Sequence, residues 1–201
     1  NDALIGGTGG DVMSGNDGED ILLGDNALID LTGPTGRLLV QVAAMPAATA
    51  IDYIGTTDIL ETTGGADIMS GNAGNDILFG GVNNGGVDTL YGDSATPNNA
   101  ADGDDIMVGD NGLLDFTLDA DTDRMTLDLV RSLLDGLGGT DVISGNAGSD
   151  IAIGGTGGDE IYGDNAAAAA GGLDLGDILL GDNADIFTRG PVNGPARLRA
   201  L

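Results

Sequence analysis

The chain has 201 residues, and its 33 acidic side chains face only six basic ones, for a net charge of −27. Thirty of the acids are Asp and three are Glu, all six bases are Arg, and Lys, His, Cys and Trp are absent. This composition excludes thiolate metal sites, cysteine nucleophiles, imidazole catalysis and P-loops, and it makes nucleic acid and acidic membrane surfaces poor partners.

A tenfold excess of Asp over Glu needs a local reason, and the short Asp side chain suits tight turns and the ligation of hard cations. So anionic a chain repels itself when compact, so something positive must sit among the carboxylates. No apolar run is long enough to span a bilayer and no signal peptide is visible, so membrane insertion is not expected.

Taken in order, the chain is a series of nine-residue units of the form G-G-x-G-x-D-x-U-x, where U is a large apolar residue. Asp2 and Ala3–Ile5 end one unit. GGTGGDVMS (6–14) and GNDGEDILL (15–23) follow without a gap. GDNALID (24–30) opens a segment without nonamers, in which ALIDL and RLLVQVA flank the turn-forming TGPTG. The pattern predicts an antiparallel ribbon over 27–43, then a loop or short helical turn over 44–61. Nonamers resume at 62–70, 71–79, 83–91 and 100–108, the last after an insertion at 94–103. GDNGLLD (109–115) opens a second ribbon, LLDFTL and RMTLDLV around DADTD, with a loop or helical turn at 131–135. Further nonamers occupy 136–144, 145–153, 154–162 and 172–180, with an alanine-rich insertion at 165–174. GDNADIF (181–187) starts the pattern again.

Gly at alternate positions permits φ > 0 and turns carbonyls toward one point, and the closing Asp adds a carboxylate. Calcium takes six to eight such oxygens. The three residues after each Asp form a short strand whose middle side chain points inward: Met13, Leu22, Met69, Leu78, Leu90, Met107, Ile143, Ala152, Ile161 and Leu179. The expected fold is all-β: a right-handed parallel β-roll of two thin sheets, interrupted by antiparallel hairpin insertions. The segments are 1–26 (the end of a roll unit), 27–61 (insertion), 62–112 (roll), 113–135 (insertion), 136–183 (roll) and 184–201 (a further unit or tail).

These ten nonamers resemble the RTX family, the calcium-binding nonapeptide repeats of secreted bacterial proteins. The resemblance implies several Ca²⁺ ions as cofactors, each lying between turns on one edge and sharing their Asp carboxylates. Carried onto this chain, it implies ligands, as carbonyls or carboxylates, from Gly6, Thr8, Gly9, Asp11, Gly15, Asp17, Gly18 and Asp20. Next come Gly24, Asp25, Asn26, Gly64, Gly65, Asp67, Gly71, Ala73, Gly74, Asp76, Gly85, Gly86 and Asp88. Asp93, Asp102, Asp105, Asp110, Asn111, Gly136, Gly139 and Asp141 continue the set. Gly145, Ala147, Gly148, Asp150, Gly154, Thr156, Gly157, Asp159, Asp164, Asp177 and Asp182 complete it.

The outward positions of alternate strands differ. One sheet is mixed, whereas the other shows Ile21/Leu23, Ile77/Phe79, Ile106/Val108, Ile151/Ile153 and Ile178/Leu180. An apolar face of that size is rarely left open in a soluble monomer. Covering by the chain's own ribbons is expected, with self-association through this face as the alternative. DADTD (119–123) lacks the Gly and the bidentate Glu of an EF-hand and reads as a solvated turn, with an accessory calcium site as the alternative.

No catalytic constellation is present, and the Asp residues are better used as ligands than as an acid/base pair. The expected function is a calcium-binding segment of a larger extracellular or cell-surface bacterial protein. By family resemblance it is exported by type I secretion machinery, folds on meeting calcium, and acts as a structural or carrier module. A spacer or ligand-binding segment of an adhesin, or the carrier region of an exported enzyme, are the alternatives.

Overall fold

Glycine-rich turns alternating with three-residue apolar runs leave room only for short strands, and that is what a computed structural model of the chain contains. It describes residues 1–32, 50–94, 103–116, 127–164, 176–187 and 197–200. There is no helix among the described residues. In chain order the strands are β1 (Ala3–Ile5), β2 (Val12–Asp17), β3 (Ile21–Leu23), β4 (Ala27–Thr32), β5 (Ala50–Thr56), β6 (Ile68–Ala73), β7 (Ile77–Phe79), β8 (Val87–Tyr91) and β9 (Ile106–Val108). After them come β10 (Gly112–Asp115), β11 (Leu129–Ser132), β12 (Thr140–Ser144), β13 (Ile151–Ile153), β14 (Glu160–Tyr162), β15 (Ile178–Leu180), β16 (Ala184–Phe187) and β17 (Arg197–Ala200).

They form three sheets. The first has the order β1-β3-β7-β9-β13-β15, the second β2-β6-β8-β12-β14, and all pairs within each are parallel. Successive triplets alternate between these two sheets, and equivalent nonamer positions pair: Leu22 with Leu78 and Met13 with Met69. Between the sheets lies a core of Met13, Leu22, Met69, Leu78, Leu90, Met107, Ile143 and Ala152. These are the predicted inward residues. Each such side chain contributes about 1.5–3 kcal/mol through burial, Ala152 less. Leu179 departs from the pattern at 41% exposed, because its strand β15 ends one sheet and no facing strand lies beyond it among the described residues.

The third sheet is antiparallel, ordered β17-β16-β11-β10-β5-β4. Here two expectations are corrected. The stretch 44–61 is not simply loop or helical turn: β5 lies in it and pairs with β4. Residues 33–49, which include the partner strand expected for β4, lie outside the described residues. Nor is 131–135 all loop or helical turn, since β11 runs through Ser132; β5–β10 and β11–β16 pairing joins the insertions edge to edge. At the second junction Arg131 grips Asp185 through two hydrogen bonds, Nε to Oδ1 at 2.5 Å and Nη2 to Oδ2 at 2.9 Å. The second ribbon forms as expected, with Leu114 opposite Val130. Its DADTD turn, like the insertions 95–102 and 165–175, lies outside the described residues.

This sheet covers the apolar face. Ile54, Leu114, Val130, Ala184 and Ile186 from it share one buried cluster with Ile21, Leu23, Phe79, Val108 and Ile153 of the first parallel sheet. The chain therefore shields that face itself, and it is not open for the self-association weighed above. The second parallel sheet faces solvent, with Val12 81% exposed.

Candidate metal sites at the turns

Five turns run without interruption from an opening Gly to a closing Asp: Gly6–Asp11, Gly15–Asp20, Gly71–Asp76, Gly145–Asp150 and Gly154–Asp159. The second residue of each has positive φ (Gly7 97°, Asn16 75°, Asn72 80°, Asn146 79°, Gly155 106°), and so has the fourth (Gly9 95°, Gly18 118°, Gly74 118°, Gly148 128°, Gly157 137°). Only Gly, and at lower frequency Asn, takes this conformation cheaply, which is why the nonamer is spelled as it is.

The closing aspartates form two ladders. In each, the backbone N–H of one Asp donates to Oδ1 of the Asp one rung further on. Along one edge Asp2 donates to Asp20, Asp20 to Asp76, Asp76 to Asp105, Asp105 to Asp150 and Asp150 to Asp177. Along the other, Asp11 donates to Asp67, Asp67 to Asp88, Asp88 to Asp141 and Asp141 to Asp159. Asp20 to Asp76 spans 2.7 Å and Asp88 to Asp141 spans 3.2 Å.

The second carboxylate oxygen has no such use. Oδ2 of Asp11, Asp20, Asp67, Asp76, Asp88, Asp105, Asp141, Asp150 and Asp159 is buried without a hydrogen-bond partner. It lies against the opening Gly of its own turn, where the carbonyl oxygen of the next rung's opening Gly converges as well. A Cβ on Gly71 would stand within 3 Å of both Asp76 Oδ2 and the Gly92 oxygen. The same holds at Gly145 for Asp150 Oδ2 and the Gly163 oxygen, and at Gly109 for Asp141 Oδ2 and the Gly154 oxygen. Acceptors facing each other with no donor between them suit a hard cation, which binds carboxylate and carbonyl oxygens together. Among the described residues no group of three or more acidic side chains gathers as a metal cluster. The donor set is instead carboxylate plus backbone.

The pairing of Gly with Asp corrects the sequence phase at five turns. The opening Gly for Asp67 is Gly24, for Asp88 Gly80, for Asp105 Gly92, for Asp141 Gly109 and for Asp177 Gly163. The nonamer alignment had put those openings at residues 62, 83, 100, 136 and 172. Gly136 is exposed, and Gly85 and Gly136 would meet nothing within 4 Å of an added Cβ. These turns are interrupted: the chain leaves after the opening residues and returns just before the Asp.

Burial sets the electrostatics. Loss of water raises Asp88 from 3.8 to about 9 and Asp105 to about 10, with neighbouring carboxylates adding to the rise and backbone N–H donors opposing it. Asp141 and Asp150 rise to about 8, Asp76 to about 7 and Asp67 to about 6, burial being the largest cause in each. At neutral pH Asp88, Asp105, Asp141 and Asp150 keep their charge only if a cation neutralises it.

The remaining expected residues are placed as follows. Thr8 and Asp17 are exposed, whereas Ala147 is buried and Ala73 and Thr156 half-buried. Asp164 and Asp182 are exposed, and Asp102 lies outside the described residues. Gly64 lies against Asp25 and the Val82 oxygen, Gly65 against Gly9 and Gly10, and Gly86 against Ala66. Asn26 donates to Asp58, and Asn111 donates to the Asp58 carbonyl. The two carboxylates of Asp93 and Asp110 accept backbone N–H groups: Gly103 and Ala147 at Asp93, Gly139 and Thr156 at Asp110. Burial holds Asp110 at about 7, those two N–H groups opposing the rise. Sequence reasoning passed over Asp58 and Asn83, which are buried: Asp58 meets the asparagines of two GDN segments, its one sequence signal, and Asn83 donates to the closing Asp141.

Two rows of buried carboxylates on stacked, Gly-opened turns define a repeat protein built to hold hard cations. The repeat of the RTX calcium-binding nonapeptide family matches the chain in four copies, over residues 1–26, 55–85 and 135–167, a little under half of its length. The chain is a calcium-binding repeat module. No curated protein and no solved structure matches the chain.

Proposed function

We propose that the two parallel sheets are a right-handed β-roll whose calcium ions lie along both edges, and that calcium binding is what folds it. The observation that carries this reading is the set of nine orphaned Oδ2 atoms, each buried beside a convergent Gly carbonyl. Asp11, Asp20, Asp67, Asp76, Asp88, Asp105, Asp141, Asp150 and Asp159 are the carboxylate ligands, and the opening glycines supply carbonyls. A calcium ion supplies the positive charge that lets these carboxylates remain ionised when buried. Binding free energy thereby becomes folding free energy, and stacked turns make it cooperative.

Such a chain stays unfolded where calcium is scarce and folds where it is plentiful. That suits export through type I secretion machinery from a bacterial cytosol, and a non-enzymatic role as a structural or carrier segment of an extracellular protein. Circular dichroism in calcium and in excess chelator tests the coupling. The expected result is a β spectrum with calcium and a largely unfolded one without. A fully folded spectrum in chelator at neutral pH overturns it.

A further inference from the structure

The aspartates in second position of the interrupted turns never take positive φ. Asp25, Asp93, Asp110, Asp164 and Asp182 follow the opening glycines Gly24, Gly92, Gly109, Gly163 and Gly181, and at each of these places the chain departs from the parallel stack. None is among the positive-φ residues, whereas Gly or Asn fills this position with φ between 75° and 106° in every uninterrupted turn. After Asp25, Asp110 and Asp182 the chain goes on into the antiparallel sheet, and after Asp93 and Asp164 into segments outside the described residues.

The carboxylates of Asp93 and Asp110 then make the same two bonds. One oxygen accepts the N–H of the residue at which the chain returns: Gly103 at 3.2 Å for Asp93, Gly139 at 3.0 Å for Asp110. The other accepts the N–H of the third residue of the next turn on that edge: Ala147 at 3.0 Å for Asp93, Thr156 for Asp110. Both side chains are buried, Asp93 at 0% and Asp110 at 1% exposed. Asp25 is equally buried and the Val82 backbone N–H, of the third residue of its next turn, lowers its pKa, although neither of its oxygens makes a well-formed hydrogen bond.

With the excursions removed, three of these turns have the length of an uninterrupted one. Gly92-Asp93-Ser94 continues as Gly103-Asp104-Asp105, Gly109-Asp110-Asn111 as Gly139-Thr140-Asp141, and Gly24-Asp25-Asn26 as Gly65-Ala66-Asp67. The turn from Gly80 to Asp88 is enlarged by only three residues; it keeps Gly81 at φ 99° and closes on its own bond from Gly86 N–H to the Asn83 carbonyl, at 2.6 Å.

We propose that Asp93 and Asp110 are clasps: they bind the two lips of an interrupted turn together and so position the closing Asp105 and Asp141, and Gly-Asp at a turn opening marks the places where this stack admits an excursion. They are positioning residues and not ion ligands, which takes them out of the ligand set implied by resemblance. The assignment stands on turn geometry and goes beyond the proposed function, because it concerns how a turn closes and not which cation fills it.

The test compares four full chains in saturating calcium by amide hydrogen exchange and calcium titration: the parent, Asp93→Asn, a variant lacking residues 95–102, and the two changes combined. Asn keeps one acceptor and loses the other. In the parent background Asp93→Asn accelerates exchange at Gly103 and Ala147 by about tenfold or more, the equivalent of a hydrogen bond to a charged acceptor, and raises the calcium midpoint. In the shortened chain, whose turn has the ordinary six residues, the same substitution leaves the midpoint unchanged or lowers it. Asp110→Asn repeats the first comparison at Gly139 and Thr156. Equal damage with and without residues 95–102, or loss of a bound ion with the Gly103 and Ala147 amides still protected, overturns the clasp. If Asp93→Asn folds only in the shortened chain, the coupling is at its strongest and the clasp stands; if it folds in neither, the clasp is wrong. A parent chain that folds without calcium at neutral pH would instead sink the proposed function, a separate result.

Discussion

Asp76 has two opposite effects on the fold. Its Oδ1 accepts the Asp20 N–H and ties two rungs together, while its buried Oδ2 carries charge with no partner, which pushes its pKa to about 7. Asp76→Asn keeps the shape and one acceptor and removes the charge. In calcium it is expected to raise the midpoint of folding, because a ligand is lost. In chelator it is expected to leave stability unchanged or increase it, because a desolvated charge is gone. Matched titrations by circular dichroism read both signs, and a loss in both conditions would make Asp76 a purely structural acceptor. The closing aspartates were legible in the sequence because they share one phase with the apolar triplets. The opening glycines of interrupted turns were not. Gly24 and Asp67 are neighbours in space but 43 positions apart in the chain, and no local pattern encodes that closure.

Among the elements, the antiparallel sheet matters most for stability, since it turns an exposed apolar face into a second core. Leu114 is fully buried there, while Leu28 on β4 is 46% exposed. Leu114→Ala is expected to lose about 2–5 kcal/mol in calcium, and Leu28→Ala to stay within about 0.5 kcal/mol. Chemical denaturation checks both; similar losses would mean that the sheet does not shield the face. The need for a cover could be read from Ile21, Leu23, Phe79, Val108 and Ile153, all apolar at outward positions. The identity of the covering strands was harder to see. In β5 the sequence AIDYIGT follows an Ala- and Pro-rich stretch, and its place is fixed by pairing with β10, roughly sixty residues away, which outweighs local propensity.

For the whole molecule, charge couples folding to both protons and calcium. Without cations the folded aspartates bind protons at about 6 (Asp67) to about 10 (Asp105), against 3.8 for the ordinary group. Across that window the native state holds more protons than the unfolded chain, so stability falls as pH rises. The stabilising protonation is complete below about 3.8 and is lost as pH climbs through those folded values. In chelator, β structure is therefore expected to appear on acidification and to disappear toward alkaline pH. With calcium fixed at a limiting concentration the trend reverses, because ligands must first lose their protons. Circular dichroism against pH in the two buffers checks this, and structure gained on raising pH in chelator would contradict it.

All three sheets take up their strands in the order in which the chain supplies them: β1 to β15 in one, β2 to β14 in the next, β4 to β17 in the cover. No strand has to wait for a later one to be laid between it and its neighbour. A polypeptide threaded through a narrow channel end first can thus set each course on the one already in place and roof it as it goes, so assembly can keep pace with delivery and little naked hydrophobic surface accumulates along the way.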